Sequence, residues 1–443
     1  MYTLQRYAKF AVDYRLAPMG PEVTHHARRA VIDWYAAALP GAVAAPATLL
    51  QRALAEELGH GGARLVLGTQ ATTRLAALVN GAAAHTVEVD DIFREAIYHP
   101  GAPTIAAALA LAQARKASGE AFLRAVVVGY EISTRIGAAM GRAHYRHWHN
   151  TGTIGCFGAA AAAAEILGLD QRGVAHALAT VATFAAGLQQ AFRMDSMSKP
   201  LHAGRAAEAG VTAALAAAEG VTGSLDILEG EAGLGRAMSD DPDWTRSVAT
   251  LGTDFHITRI TFKNHACCGH TFAPIDGALA LQARFGIQAA DIEKIEIGTY
   301  RAALEVAGYD APATPAEARF SVKYTVAAAL THGSVRLAAF EADRIADDAT
   351  RALMRKIELS VEPELDAAFP GQRAARVTMR LRDGRVLSHL QPTRKGDPEA
   401  PLSDMELEHK YLELASPVLG DDAAATLLAK LKRLETMATL DSL

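Results

Sequence analysis

Apolar residues recur at helical spacing through the first 252 residues, and alanine fills most of the positions between them. VIDWYAAAL, TRLAALVNGAAAH, TIAAALALAQARKA and LRAVVVGYEISTRIGAAM all follow this pattern, and Gly, Pro or Asp marks the short connections. A chain of this kind can bury such faces only by packing helix on helix. The small side chains of HAGRAAEAGVTAALAAAEG let neighbouring helices approach closely. After Gly252 the period changes. FHITRITFK, IEKIEIGTY and IELSVEPEL are β-branched or alternating, and ARVTMRLRDGRVLSHL predicts a hairpin turning at Asp383-Gly384. Helices lie between them, one opening at Thr314-Pro315-Ala316-Glu317. A last helical stretch follows Pro398 and Pro401, with a capping box at Ser403 and Glu406. The expected architecture is mainly α: a large helical domain over 1–252, an inserted smaller α+β domain over 253–398, and helices over 399–443 returning to the first.

Composition narrows the functional classes. A net charge of -5 gives no reason to expect nucleic acid or an anionic membrane as partner. The first residues, MYTLQRYAKFAVDYRL, are amphipathic and lack an apolar signal core, and no apolar run is long enough to span a bilayer. The 3 cysteines, Cys156, Cys267 and Cys268, form no disulfide framework. A cytoplasmic protein is therefore expected.

A basic or imidazole side chain stands shortly before a small-residue helix in several places. His99 precedes PGAPTIAAALALA, His149 precedes NTGTIGCFGAAAAAA, Lys199 precedes PLHAGRAAEAG, and Lys263 and His270 precede TFAPIDGALALQA. Helix starts present unpaired N–H groups that favour anions. A cation there gains nothing from the helix, so its repeated placement points to a polyanionic ligand. Pro200 predicts an extended backbone at Lys199, and Lys263 is expected to end a strand, the two lysines meeting on one substrate. The acidic run GAAAHTVEVDDIF adds Glu88, Asp90 and Asp91, carboxylates able to orient an imidazole or move a proton.

Metal and cofactor motifs are weak. In AHYRHWHN the spacing of His144, His147 and His149 puts no three imidazoles on one helical face. The adjacent cysteines of NHACCGH are poor joint ligands for zinc or an iron–sulfur cluster. Asp90-Asp91 lacks the second motif that a magnesium-dependent terpene synthase would need. GLGRAM follows no strand, so it is no dinucleotide loop, and there is no GxSxG elbow. No metal and no cofactor are expected.

In order along the chain, HTVEVDD followed by HPG, VVVGYEISTRIG, HYRHWHNTGTIGCFGAAAAAAEILGLD, SKPLHAGRAAEAGVTAA, LEGEAG, ITFKNHACCGH, ARFSVKYTVAAALTHGSV and KGDPEAPLSD resemble the MmgE/PrpD family. The similarity runs from about residue 20 to 435. It implies an all-helical large domain, an α+β lid domain, a homodimer and a cofactor-free reaction on a small polycarboxylate. The family's reactions are 2-methylcitrate dehydration, cis-aconitate decarboxylation and iminodisuccinate epimerisation. Its active-site positions map onto Glu88, Asp91, His99, His149, Lys199, Lys263 and Tyr324, and Tyr145 matches a tyrosine of the epimerase-like members. Dehydratase-like and decarboxylase-like members usually carry threonine and tryptophan where this chain has Ile92 and Phe93. Together with the helix-start pattern and the acidic run, which add His270 and Asp90, the resemblance leads to expected catalytic residues Lys199, Lys263, His149, Tyr145, His99 and Asp91, with Glu88, Asp90, His270 and Tyr324 binding substrate. Dehydration of a 2-methylcitrate-like hydroxy acid is the leading expectation. Epimerisation of an iminodisuccinate-like compound, cis-aconitate-type decarboxylation, and a non-catalytic carboxylate-binding module are the alternatives.

Overall fold

The computed structural model describes residues 1–192, 196–441 and 443. The chain divides into two compact units, Met1–Thr261 with Ser403–Leu443, and Phe262–Leu402. The fold is mainly α, with a smaller α+β part.

In the first unit the apolar periodicity becomes helices Pro21–Ala42, Thr73–Ala84, Gly101–Arg115, Gly119–Tyr145, Gly155–Ile166 and Ser198–Ala218, among others. The Gly155–Ile166 helix is buried from its first residue through Glu165, so it needs no polar face and can be almost all alanine and glycine. It packs against Gly101–Arg115, Gly119–Tyr145 and Ser198–Ala218. A Cβ on Gly204 would lie 2.2 Å from the Leu78 carbonyl oxygen, so Thr73–Ala84 and Ser198–Ala218 meet backbone to backbone. Arg74 pairs with Glu208 near one end of this contact and Lys199 pairs with Glu88 at the other, so the two helices run antiparallel. That antiparallel packing brings the end of the first helix, His85, and the start of the second, Lys199, to the same end of the bundle.

The C-terminal segment belongs to this unit. Its helix Asp404–Leu419 starts at the Ser403–Glu406 capping box and packs on Pro21–Ala42. Arg29 pairs there with Asp404, and Lys410 with Asp33. The unit is not purely helical: the glycine-rich Leu58–Arg64 forms a short antiparallel ladder with Gln70–Ala71.

The second unit is built on a four-stranded sheet ordered Ile357–Val361, Ile292–Thr299, Ala375–Leu381, Val386–Gln391. The first pair is parallel and the others antiparallel. Alternate residues of Ala375–Leu381 are buried. The helix Phe272–Phe285 packs on this strand and on the helix Val322–His332. The expected turn at Asp383-Gly384 is present, with Gly384 at φ 88° supplying the left-handed residue.

Two local expectations need correction. FHITRITFK is not a strand. His256–Arg259 is a 3-10 turn, and only Thr261 makes a β-bridge, to Ile92. Tertiary bonds override the β-branched pattern there: the Glu131 carboxylate accepts the His256 N–H, and Arg135 donates to backbone oxygens of Ser247, Thr250 and Asp254. Lys199 is not extended either but lies in the first turn of Ser198–Ala218, where the proline at 200 loses no helical hydrogen bond. No single helix among the described residues is long and apolar enough to cross a membrane.

Candidate active site

The helix Thr73–Ala84 ends at His85, and the chain then runs irregularly to Phe93. Contacts fix this run almost residue by residue. Glu88 holds a left-handed backbone, φ 61°, a conformation that non-glycine residues adopt only under constraint. The Val89 carbonyl accepts from Lys410 Nζ at 2.7 Å. Ile92 exchanges both backbone bonds with Thr261, at 2.8 and 2.9 Å, and Phe93 bonds Tyr98.

Asp90 is buried between two imidazoles. Its Oδ2 lies 2.6 Å from Nδ1 of His85 and 3.2 Å from Nδ1 of His99. Burial pushes this carboxyl up, but the neighbouring imidazoles outweigh it and hold Asp90 well below the usual carboxylate range. An ionised carboxylate against Nδ1 favours a proton on that nitrogen and leaves Nε2 as the exchanging atom. Nε2 of His85 is buried, with no hydrogen-bond partner among the described residues.

The imidazole cluster continues. The His85 ring stacks on His149 at 5.4 Å and meets His99 edge-on at 4.7 Å. His149 caps the short helix Asn150–Thr153, its own N–H bound to Gly187 O at 2.9 Å, and its Nδ1 lies 3.0 Å from Nδ1 of His202. Burial, then the neighbouring His85, Lys199 and His202, push the His149 pKa well below that of free imidazole, so this ring stays neutral. Lys199 closes the group: its ammonium pairs with Glu88 and sits 5.2 Å from the Phe192 ring centroid. The side chains of His99 and Lys199 keep 13% and 17% of their surface, while that of Asp90 keeps 2%. The cluster therefore has a buried, ionised base plate and two basic groups at its accessible edge.

Glu88, Asp90, His99, His149 and Lys199 thus come together, and Asp91 does not join them. Its Oδ2 accepts from Tyr130 at 2.7 Å and its Oδ1 from the Gly101 N–H at 3.0 Å, so it caps the helix Gly101–Arg115 from within the core. Burial, then Asp33, raises its pKa to about 8. Tyr145 is half-buried at the end of Gly119–Tyr145. The other expected site residues belong to the second unit. Lys263 is buried in irregular chain rather than at a strand end. Nδ1 of His270 lies 2.8 Å from the Tyr300 hydroxyl, and burial lowers its pKa to about 3. The hydroxyl of Tyr324 donates to the Ala339 carbonyl.

His85 and His202 were not among the expected site residues. His202 stands three positions after Lys199, on the same helix face, and that spacing was a usable signal. His85 had none, because a lone histidine at a helix end is ordinarily a capping or core group. His85, Asp90 and His99 also offer ligand atoms within 4.8 Å of one another and could hold a metal ion. His85 Nδ1 and Asp90 Oδ2, 2.6 Å apart, are a hydrogen-bonded pair, and His99 Nδ1 lies at ion-pair distance, 3.2 Å, from the same oxygen.

A sequence model of the MmgE/PrpD N-terminal domain matches residues 5–247, and one of the MmgE/PrpD C-terminal domain matches residues 265–435. Among curated proteins, the chain is 30% identical over 371 residues to the cis-aconitate decarboxylase of Homo sapiens, covering 82% of this chain and 76% of that one. It is 28% identical over 396 residues to a cis-aconitate decarboxylase-like protein of Aspergillus oryzae, covering 83% and 81%. It is 26% identical over 370 residues to the cis-aconitate decarboxylase of Aspergillus terreus, covering 78% and 75%.

Proposed function

The chain belongs to the MmgE/PrpD family, an enzyme of lyase type, and we propose that it decarboxylates a cis-aconitate-like tricarboxylate at the imidazole–carboxylate cluster of its first unit. The observation that carries this reading is the ionised Asp90 set against His85 and His99, beside the accessible Lys199. In such a substrate, loss of CO2 from the CH2–COO− arm breaks a C–C bond. Its electron pair forms a new C=C, and the old double bond moves its pair toward the carboxylate at the far end. That enediolate-like charge is the difficult feature of the reaction, and a lysine ammonium can stabilise it. Protonation of the adjacent carbon then gives a methylene-bearing dicarboxylate. In this reading the His99 imidazolium delivers the proton from Nε2 and is left neutral with its proton on Nδ1, while Asp90 stabilises the charged ring and fixes its orientation. Lys199 exchanges its Glu88 partner for a substrate carboxylate.

A second reading rests on His149. A ring kept neutral by burial is a base, and dehydration of a 2-methylcitrate-like hydroxy acid needs one to take the α-proton. Product analysis over cis-aconitate, 2-methylcitrate and iminodisuccinate separates the readings. Release of CO2 with a five-carbon dicarboxylate supports the first, and loss of water with no CO2 replaces it by the second. Turnover of iminodisuccinate alone contradicts both.

A further inference from the structure

A fully buried ion pair of the first unit touches the irregular run that carries Asp90. Lys410 and Asp33 expose 0% and 1% of their side chains, and Nζ of Lys410 lies 2.5 Å from Asp33 Oδ1. The same ammonium donates to the Val89 carbonyl at 2.7 Å. Stability alone is a poor account of such a pair, since taking two charges out of water costs about as much as their attraction returns. What the pair does supply is a fixed donor on the peptide that joins Val89 to Asp90.

The residues on either side of that peptide are constrained as well. On one side is Glu88 in its left-handed conformation, and on the other are Asp91, tied to Gly101 and Tyr130, and Ile92, tied to Thr261. Rotation of the 89–90 peptide would swing the Asp90 carboxylate away from the nitrogens of His85 and His99. We propose that Lys410 is a positioning residue for the reaction, setting the Val89–Asp90 peptide, and through it the Asp90–imidazole geometry, from the C-terminal helix Asp404–Leu419. The assignment of the reaction rests on the function proposed above, but the geometric role does not.

The test compares the wild type with Lys410→Met and with Asp33→Asn/Lys410→Met, the second sparing the fold an unpaired buried carboxylate. For each, the unfolding midpoint, kcat, KM and the 15N resonances of the His85 and His99 imidazoles are measured. The double variant should unfold within about 3 °C of wild type. Its kcat should fall at least ~10-fold with KM changed less than about 3-fold, the pattern expected when reacting groups are misplaced after binding. The Nδ1 signals of the two rings that face Asp90 should shift in the same variant. Near-wild-type kcat with unshifted imidazole signals overturns the proposal. So does failure of the double variant to fold, which would make the pair a stability element. If wild type turns over no polycarboxylate, the proposed function fails and the imidazole signals alone decide the positioning role.

Discussion

Asp90 and Asp91 are adjacent in sequence and opposite in environment. In an irregular or extended run, consecutive side chains point to opposite sides. Asp90 therefore meets the imidazoles while Asp91 turns into the core toward Tyr130. A pair of aspartates in a sequence does not reveal which member meets the imidazoles and which caps a helix. Asp90→Asn should lower kcat by roughly 100-fold, the usual scale for losing a group that orients an acid–base residue, whereas Asp91→Asn should lower it by less than about 10-fold. Steady-state kinetics on both variants checks this; equal losses would contradict the division of roles. Asp91 also sets a pH dependence of stability. Its folded pKa of about 8 lies above the ordinary 3.8, so the protonated form is favoured in the fold. The stability this contributes is full below pH 3.8 and is lost as pH rises toward 8. Urea unfolding at several pH values should show wild type losing more stability than Asp91→Asn over that interval, and parallel curves would refute the assignment. Lys199→Met keeps the stem and removes the charge, and should lower kcat/KM by about 100-fold or more with an unchanged unfolding midpoint.

At the scale of elements, the helices and the Asp383-Gly384 hairpin were legible because period and turn chemistry are local signals. The stretch around Ile257 was not, because the Glu131–Arg135 group that holds it in a turn lies more than a hundred residues earlier. The start of the Ser198–Ala218 helix was misplaced for a local reason: the rule against helical geometry before proline is weak in a first turn. The contact that aligns this helix with Thr73–Ala84 depends on Gly204. Gly204→Ala would put a methyl 2.2 Å from the Leu78 carbonyl oxygen. The two helices must then separate, at a cost of about 1–3 kcal/mol. Chemical denaturation gives the stability loss, and the turnover of the folded fraction should fall too, because the same separation moves Lys199 from Glu88. A variant as stable and active as wild type would show that this contact does not hold the site.

For the whole molecule, the change of period after Gly252 and the proline-marked stretch near Pro401 lie close to the divisions at Thr261/Phe262 and Leu402/Ser403. Among the nine residues between the two descriptions of the first boundary, Asp254 and His256 are held to the helical unit by Arg135 and Glu131, again by contacts distant in sequence. The family was legible through its motifs. The composition of the imidazole cluster was not, since His85 and His202 enter it only through helix packing. Because His85 and Asp90 are hydrogen-bonded to each other, turnover should survive exhaustive treatment with EDTA, and loss restored by one divalent ion would place a metal among His85, Asp90 and His99. The central claim is that this cluster protonates a carbanion formed by decarboxylation of a cis-aconitate-like tricarboxylate. The most direct measurement follows 13C-labelled cis-aconitate by NMR in deuterated water with wild type and Asp90→Asn. The account predicts labelled CO2 and a dicarboxylate carrying one solvent-derived deuterium on the carbon next to a carboxylate, with both signals slowed together in the variant. Neither CO2 nor deuterium incorporation with wild type, or unchanged rates in Asp90→Asn, would contradict it.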